Sequence, residues 1–190
     1  EPLDYVQPGR FVIYSSTEIA AISNELSDYY VGAYNGFSEG NTDFFTPIIM
    51  RNNGGYNTEI SVQNAGDAVA TVGIDFVRSS YGNSWSMPDF NIQPYRAHRV
   101  FQGDQAALGD RFVGSATIHS NQPVVVTVNQ INNNARTLLV YDGSAEGYFR
   151  VAVPQVQHLN SGYNTGIQVQ NVGATTAHVH VDYGPNVKPG

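Results

Sequence analysis

The 190 residues carry 16 acidic and 9 basic side chains, a net charge of −7, and no cysteine. That balance excludes the basic stripe a nucleic-acid binder needs, and the missing cysteines exclude a disulfide scaffold and thiol chemistry. Only 13% of residues are charged, whereas 12 tyrosines and 9 phenylalanines are present; such a composition favours strands over helices, and a chain this long buries roughly 70% of its unfolded surface, enough for one or two cores.

The opening Glu1-Pro2 has no methionine, so a processed chain, secreted after removal of an upstream signal peptide, is expected. No apolar run approaches the roughly 20 residues of a membrane span, so membrane insertion is not expected. Residues 1–8, with Leu3, Tyr5 and Val6 between Pro2 and Pro8, read as an extended arm at most. Strands are expected over 11–14 and 19–22, around the polar turn Ser15-Ser16-Thr17-Glu18. A third strand, 29–34, is closed by the turn dipeptide Asn35-Gly36. Residues 37–45 read as a polar link. Another strand starts over 47–51.

Thr58, Ile60 and Val62 then alternate with Glu59, Ser61 and Gln63, the period-2 pattern of a half-buried strand. Ala65-Gly66-Asp67 turns the chain, and Ala70, Val72, Ile74 and Phe76 share the next apolar face. Residues 79–94 read as a polar, proline-containing loop around Tyr81, Trp85 and Phe90. Strands are expected at 95–101, 112–119, 123–131 and 136–141. Seven or eight strands in about 107 residues match the spacing of a β-sandwich. The tail over 184–190 is rich in proline and glycine and linker-like.

An internal period organises these elements. Gly55-Tyr56-Asn57-Thr58 returns as Gly162-Tyr163-Asn164-Thr165, an offset of 107, and 14 of 31 positions agree between 46–76 and 153–183 without a gap. Tyr34-Asn35-Gly36 matches Tyr141-Asp142-Gly143 at the same offset. Further upstream a two-residue indel lowers the offset to 105, where Ser15 meets Ser120, Ile19 meets Val124 and Asn24 meets Asn129. The reading is therefore one complete repeat, 46–152, between a back part, 1–45, and a front part, 153–190. The expected fold is an all-β antiparallel β-sandwich, Ig-like or jelly-roll-like, repeated in this way.

Candidate chemistry is sparse. His178 and His180 share one face of a strand at a spacing that suits a metal; solvent-facing histidines are the plainer reading. The stretches Asp142-Gly143-Ser144-Ala145-Glu146 and Asn35-Gly36-Phe37-Ser38-Glu39 offer oxygens for calcium, yet turn formation explains them without an ion, so calcium has no assigned place and no cofactor is expected. No nucleophile elbow, phosphate loop or His-Glu-x-x-His motif occurs, and no enzyme is expected. Tyr81, Trp85, Phe90 and Tyr95 are candidate sugar contacts, against a plain role as core or loop anchors.

The pattern Gly-Tyr-Asn-Thr-x-Ile-x-Val-Gln-Asn-x-Gly, with Gly114-Ser115-Ala116 and Pro123-Val124-Val125-Val126, resembles tandem β-sandwich repeats of secreted bacterial surface proteins. The split-repeat layout is similar to subunits of extracellular fibres joined by donor-strand complementation. The resemblance implies an extracellular or cell-surface polymer whose partner is a copy of itself. Leu3, Tyr5, Phe11 and Ile13 are then the candidate plugs, and Ala177, Val179, Val181 and Tyr183 line the receiving surface. The alternative is a closed two-domain adhesin or carbohydrate-binding module with glycan partners.

Overall fold

A computed structural model describes residues 11–26, 30–79 and 84–183. Among these the chain is all-β. Its strands are β1 (Ile22–Leu26), β2 (Val31–Asn35), β3 (Asn41–Arg51), β4 (Asn57–Asn64), β5 (Ala70–Arg78), β6 (Ser84–Ile92), β7 (Ala97–Phe101), β8 (Phe112–Asn132) and β9 (Thr137–Asp142). Two single 3-10 turns, Gln102–Asp104 and Ala106–Leu108, separate β7 from β8. No helix among the described residues is long and apolar enough to cross a membrane.

Strands β3 to β9 form one curled antiparallel sheet built on the 21-residue β8. The first half of β8 pairs with β3 along one edge and β5 along the other, so that Thr117 faces both Phe45 and Asp75. Its second half pairs with β4 and β9, so that Val128 faces both Ile60 and Tyr141. The change of partners falls at residues 121–123. There Pro123 has no N–H to donate, its carbonyl accepts from Ala65 N at 2.8 Å, and the Asn121 side chain accepts from Thr71 N at 2.8 Å. β6 extends the sheet beyond β5, and β7 extends it beyond β4.

Both halves of β8 keep the same alternation. Phe112, Ala116 and Ile118 are buried from the first half, and Val124, Val126 and Val128 from the second. They meet Phe44, Ile49, Ile60, Val62, Val72, Ile74 and Phe76 in a single core. Each such side chain contributes roughly 1.5–3 kcal/mol on burial.

Several element boundaries differ from the sequence expectations. The expected link 37–45 is largely strand, since β3 starts at Asn41 and runs across position 46, the expected start of the complete repeat. The expected loop 79–94 contains β6, an edge strand. Its polar outer residues and the register shift between Met87 and Phe90 hide the alternation. The strands expected at 112–119 and 123–131 are one strand with an unpaired middle. Conversely, 11–14 and 19–21 are not strand, because no strand among the described residues offers them a ladder. Leu3, Tyr5, Tyr81 and the tail 184–190 lie outside the described residues.

The hairpin of β1 and β2 forms a separate two-stranded sheet. It lies on the outer side of β9, where Gly32 is buried against Val140 and Leu138. The Asn129 amide donates to Glu25 Oε2 at 3.1 Å, and the Tyr30 hydroxyl donates to Asn133 Oδ1 at 2.8 Å.

Candidate functional site

The sequence period recurs as hydrogen bonds. In the turn between β3 and β4, Asn53 and Tyr56 exchange backbone bonds of 3.1 and 2.9 Å; Asn160 and Tyr163 do the same at 3.2 and 2.9 Å. Asn52 N donates to Asn57 Oδ1 at 2.9 Å, and Leu159 N donates to Asn164 Oδ1 at 2.9 Å. Both turns need a left-handed glycine, Gly55 at φ 83° and Gly162 at φ 84°. The threonine after each turn also repeats its role, Thr58 Oγ1 accepting from Met50 N and Thr165 Oγ1 from Gln157 N.

The β1–β2 hairpin likewise copies β8–β9. Ile22 faces Asn35 as Thr127 faces Asp142, and Leu26 faces Val31 as Ile131 faces Leu138. Gly36 N donates to Ala21 O at 2.9 Å, as Gly143 N does to Val126 O at 2.9 Å. Local sequence therefore specifies these turns and this register twice.

What differs is burial. Ile60, Val62 and Val72 are 0% exposed, whereas their counterparts Ile167, Val169 and Val179 are 42, 62 and 61% exposed. Residues 164–183 form no strand, and no described strand pairs with them as β8 pairs with the other copy. The expected receiving residues Ala177, Val179, Val181 and Tyr183 are all exposed, as are the expected plugs Phe11 and Ile13. No ladder or bridge joins the two groups among the described residues. Gln170 anchors the segment to the sheet: its Nε2 donates to Ala116 O and Thr117 Oγ1, each at 3.3 Å.

The candidate sugar contacts do not form one platform. Trp85 stacks on the buried Phe76, with centroids 5.5 Å apart and planes 20° apart, and Phe90 lies 4.5 Å from the His98 ring. Both turn toward the core from β6. Tyr95 stands in a tight turn at φ 56°.

His180 Nε2 lies 2.8 Å from Asp182 Oδ1, and both side chains are exposed. No group of three or more histidines or carboxylates is placed to hold a metal among the described residues. The calcium candidate Asp142 ends β9 beneath the hairpin. Burial pushes its carboxyl above the usual range, while the Asn35 backbone N–H acts in the opposite direction.

The sequence reading missed a polar constellation on the outer face of β3, β8 and β5. His119 Nδ1 lies 2.8 Å from Asp43 Oδ1, and its Nε2 lies 3.1 Å from Asp75 Oδ2. Ser86 donates to Asp75 Oδ1 at 2.5 Å. Hydrogen bonding to Asp43 raises the His119 pKa against the opposing effect of desolvation, and the same bond lowers the Asp43 pKa. Both ring nitrogens are engaged, so the imidazole clamps β8 between its two neighbours. A second outer-face pair, Arg99 with the buried Glu59, joins β7 to β4. Asp43, Asp75 and His119 stand far apart in sequence, and only the recurrence of Asp75 as Asp182 marks any of them.

No family model and no curated protein matches the chain. Several solved structures are similar, among them the following two. The crystal structure of Thermotoga maritima 1070 is 21% identical over 56% of this chain and 96% of its own, with a TM-score of 0.49. The Anabaena sensory rhodopsin transducer is 20% identical over 52% of this chain and 96% of its own, with a TM-score of 0.42.

Proposed function

We propose that this chain is a structural subunit of an extracellular fibre, joined head to tail by β-strand complementation between copies. In this reading each repeat is a β-sandwich whose two leaves share a β8-type strand. The observation that carries it is the contrast between two copies of one motif. Residues 160–183 make the turns of 53–76 while leaving exposed the apolar positions that β8 covers in the other copy. Residues 11–26 are the second β8-type sequence in the chain, and β1, its folded end, pairs on one edge only.

Transposing the register of β8 sets Ile13 opposite Val181, Ser15 opposite Val179 and Ala21 opposite Val169. The incoming strand supplies backbone hydrogen bonds along 164–183, and its alternate side chains enter the receiving face. A few buried side chains at roughly 1.5–3 kcal/mol each make such a joint long-lived. A heterologous joint that does not close on itself propagates as a filament.

The test is light scattering and negative-stain microscopy on the full chain and on a chain without residues 1–13. Linear polymers from the first, with monomers or aggregates from the second, are expected. A sharp 20.7 kDa monomer at every concentration, including after slow refolding, overturns the reading and leaves the closed binding module.

A further inference from the structure

The hairpin next to the donor segment is already engaged, and the face it uses is informative. We propose that docking of β1–β2 on β9 is a reversible resting state that withholds the donor, so that undocking of the hairpin controls assembly. The inference rests on the filament reading above.

Glu25 and Gly32 are paired across the hairpin and therefore share a face. That face is the docked one: Gly32 lies on Val140 and Leu138, and Glu25 accepts from Asn129. In the β8–β9 copy the same places hold Gln130 and Leu139. These share a face with Val128 and Tyr141, which turn to the core. The face that rests on β9 is thus the face a completed joint would turn inward. One hairpin cannot do both, and docking competes with complementation.

The dock has the composition of a contact that lets go. Polar bonds from Asn129 and Tyr30 hold it, and the charge of Glu25 acts on Arg99. The large apolar residues Ile22, Leu26 and Val31 remain 63, 73 and 70% exposed.

Gly32 separates the two states. A Cβ there would meet Val140 Cγ2 at 2.3 Å and Leu138 Cδ2 at 3.0 Å, so a side chain at this place forces Val140 out of position or the hairpin off β9. The joint does not require glycine, because the copy carries Leu139, half exposed, at that place. Glu25 is a milder case of the same kind, since the copy carries Gln130.

The experiment compares polymerisation of the wild-type chain with Gly32→Leu and Glu25→Gln by time-resolved light scattering at matched concentration. Near-ultraviolet circular dichroism checks that the sheet of β3 to β9 is intact. Each variant gives the hairpin the residue that its β8–β9 copy already has. Gly32→Leu is expected to polymerise roughly tenfold faster, the scale of effect that an overpacked contact produces, and Glu25→Gln a few-fold faster. If Gly32→Leu does not fold, Glu25→Gln carries the test alone. Polymers from the wild type with no acceleration in the folded variants overturn the resting-state inference and leave the filament reading standing. Monomers from all three chains overturn both.

Discussion

Asn64 and Asn171, 107 residues apart, close the same turn. Their side-chain amides donate to Ala68 O and Thr175 O, each at 2.7 Å, and their carbonyls accept from the backbone N–H of Gly66 and Gly173. Asn64 also donates to Ile92 O at 3.0 Å and is fully buried, whereas Asn171 is exposed. Asn64→Ala leaves the buried Ile92 carbonyl unpaired and is expected to lower stability by about 2–3 kcal/mol. Asn171→Ala should change the free chain by less than about 0.5 kcal/mol and weaken only the polymer. Urea denaturation of both variants, with dilution-induced disassembly of preformed polymers, measures the difference.

The Tyr141 hydroxyl donates to Ile48 O at 2.7 Å, at the bulge where β3 loses register with β8. Burial pushes the phenol well above its ordinary pKa, so the donor stays protonated at any physiological pH. Tyr141→Phe is expected to cost about 1–2 kcal/mol, the penalty for a part-buried carbonyl without its donor. A lower urea midpoint at unchanged slope is the signature.

His119 and Asp43 give the sheet a pH dependence of definite sign. The raised His119 pKa means that its stabilisation is complete below the ordinary histidine value of about 6.5 and is lost as pH rises through the folded value. The lowered Asp43 pKa means that its share is present above about 3.9 and is lost as pH falls through its folded value. Stability from this pair therefore peaks between those limits. Both groups are half exposed, so solvent screening limits the effect to about 1 kcal/mol or less. His119→Gln should flatten the profile of denaturation midpoint against pH between 4 and 8, on the order of that amount.

Trp85→Ala removes the ring stacked on Phe76. A loss of about 2–3 kcal/mol is expected, below the 3–5 of a fully buried aromatic, because Trp85 is only partly covered. Thermal unfolding measures the loss. Glycan-array binding that vanishes in a variant of unchanged stability would instead make Trp85 a sugar contact.

The strands whose alternation survives burial on one face were legible in the sequence. Ile60 and Val62 mark β4, and Ala70, Val72, Ile74 and Phe76 mark β5. β6 was not legible, because an edge strand with Pro88 and a register shift shows no clean period. Nor were residues 11–21 readable as they stand, since a strand exists only where a neighbour completes its ladder. Their sequence matches that of β8, which has four neighbours. The turns were legible twice over, Gly55 and Gly162 holding them irrespective of burial. The clamp of Asp43, His119 and Asp75 was not, because residues on three strands meet only through the register of β8.

That register has a consequence during synthesis. β3, β4 and β5 leave the ribosome before the strand that pairs with all three, and at roughly 5–20 residues per second the wait for β8 lasts several seconds. Throughout that interval the apolar faces of β3, β4 and β5 lack the strand that pairs with all three. If copies join as proposed above, the order of translation exposes each such unit before its own β8-type strand is made.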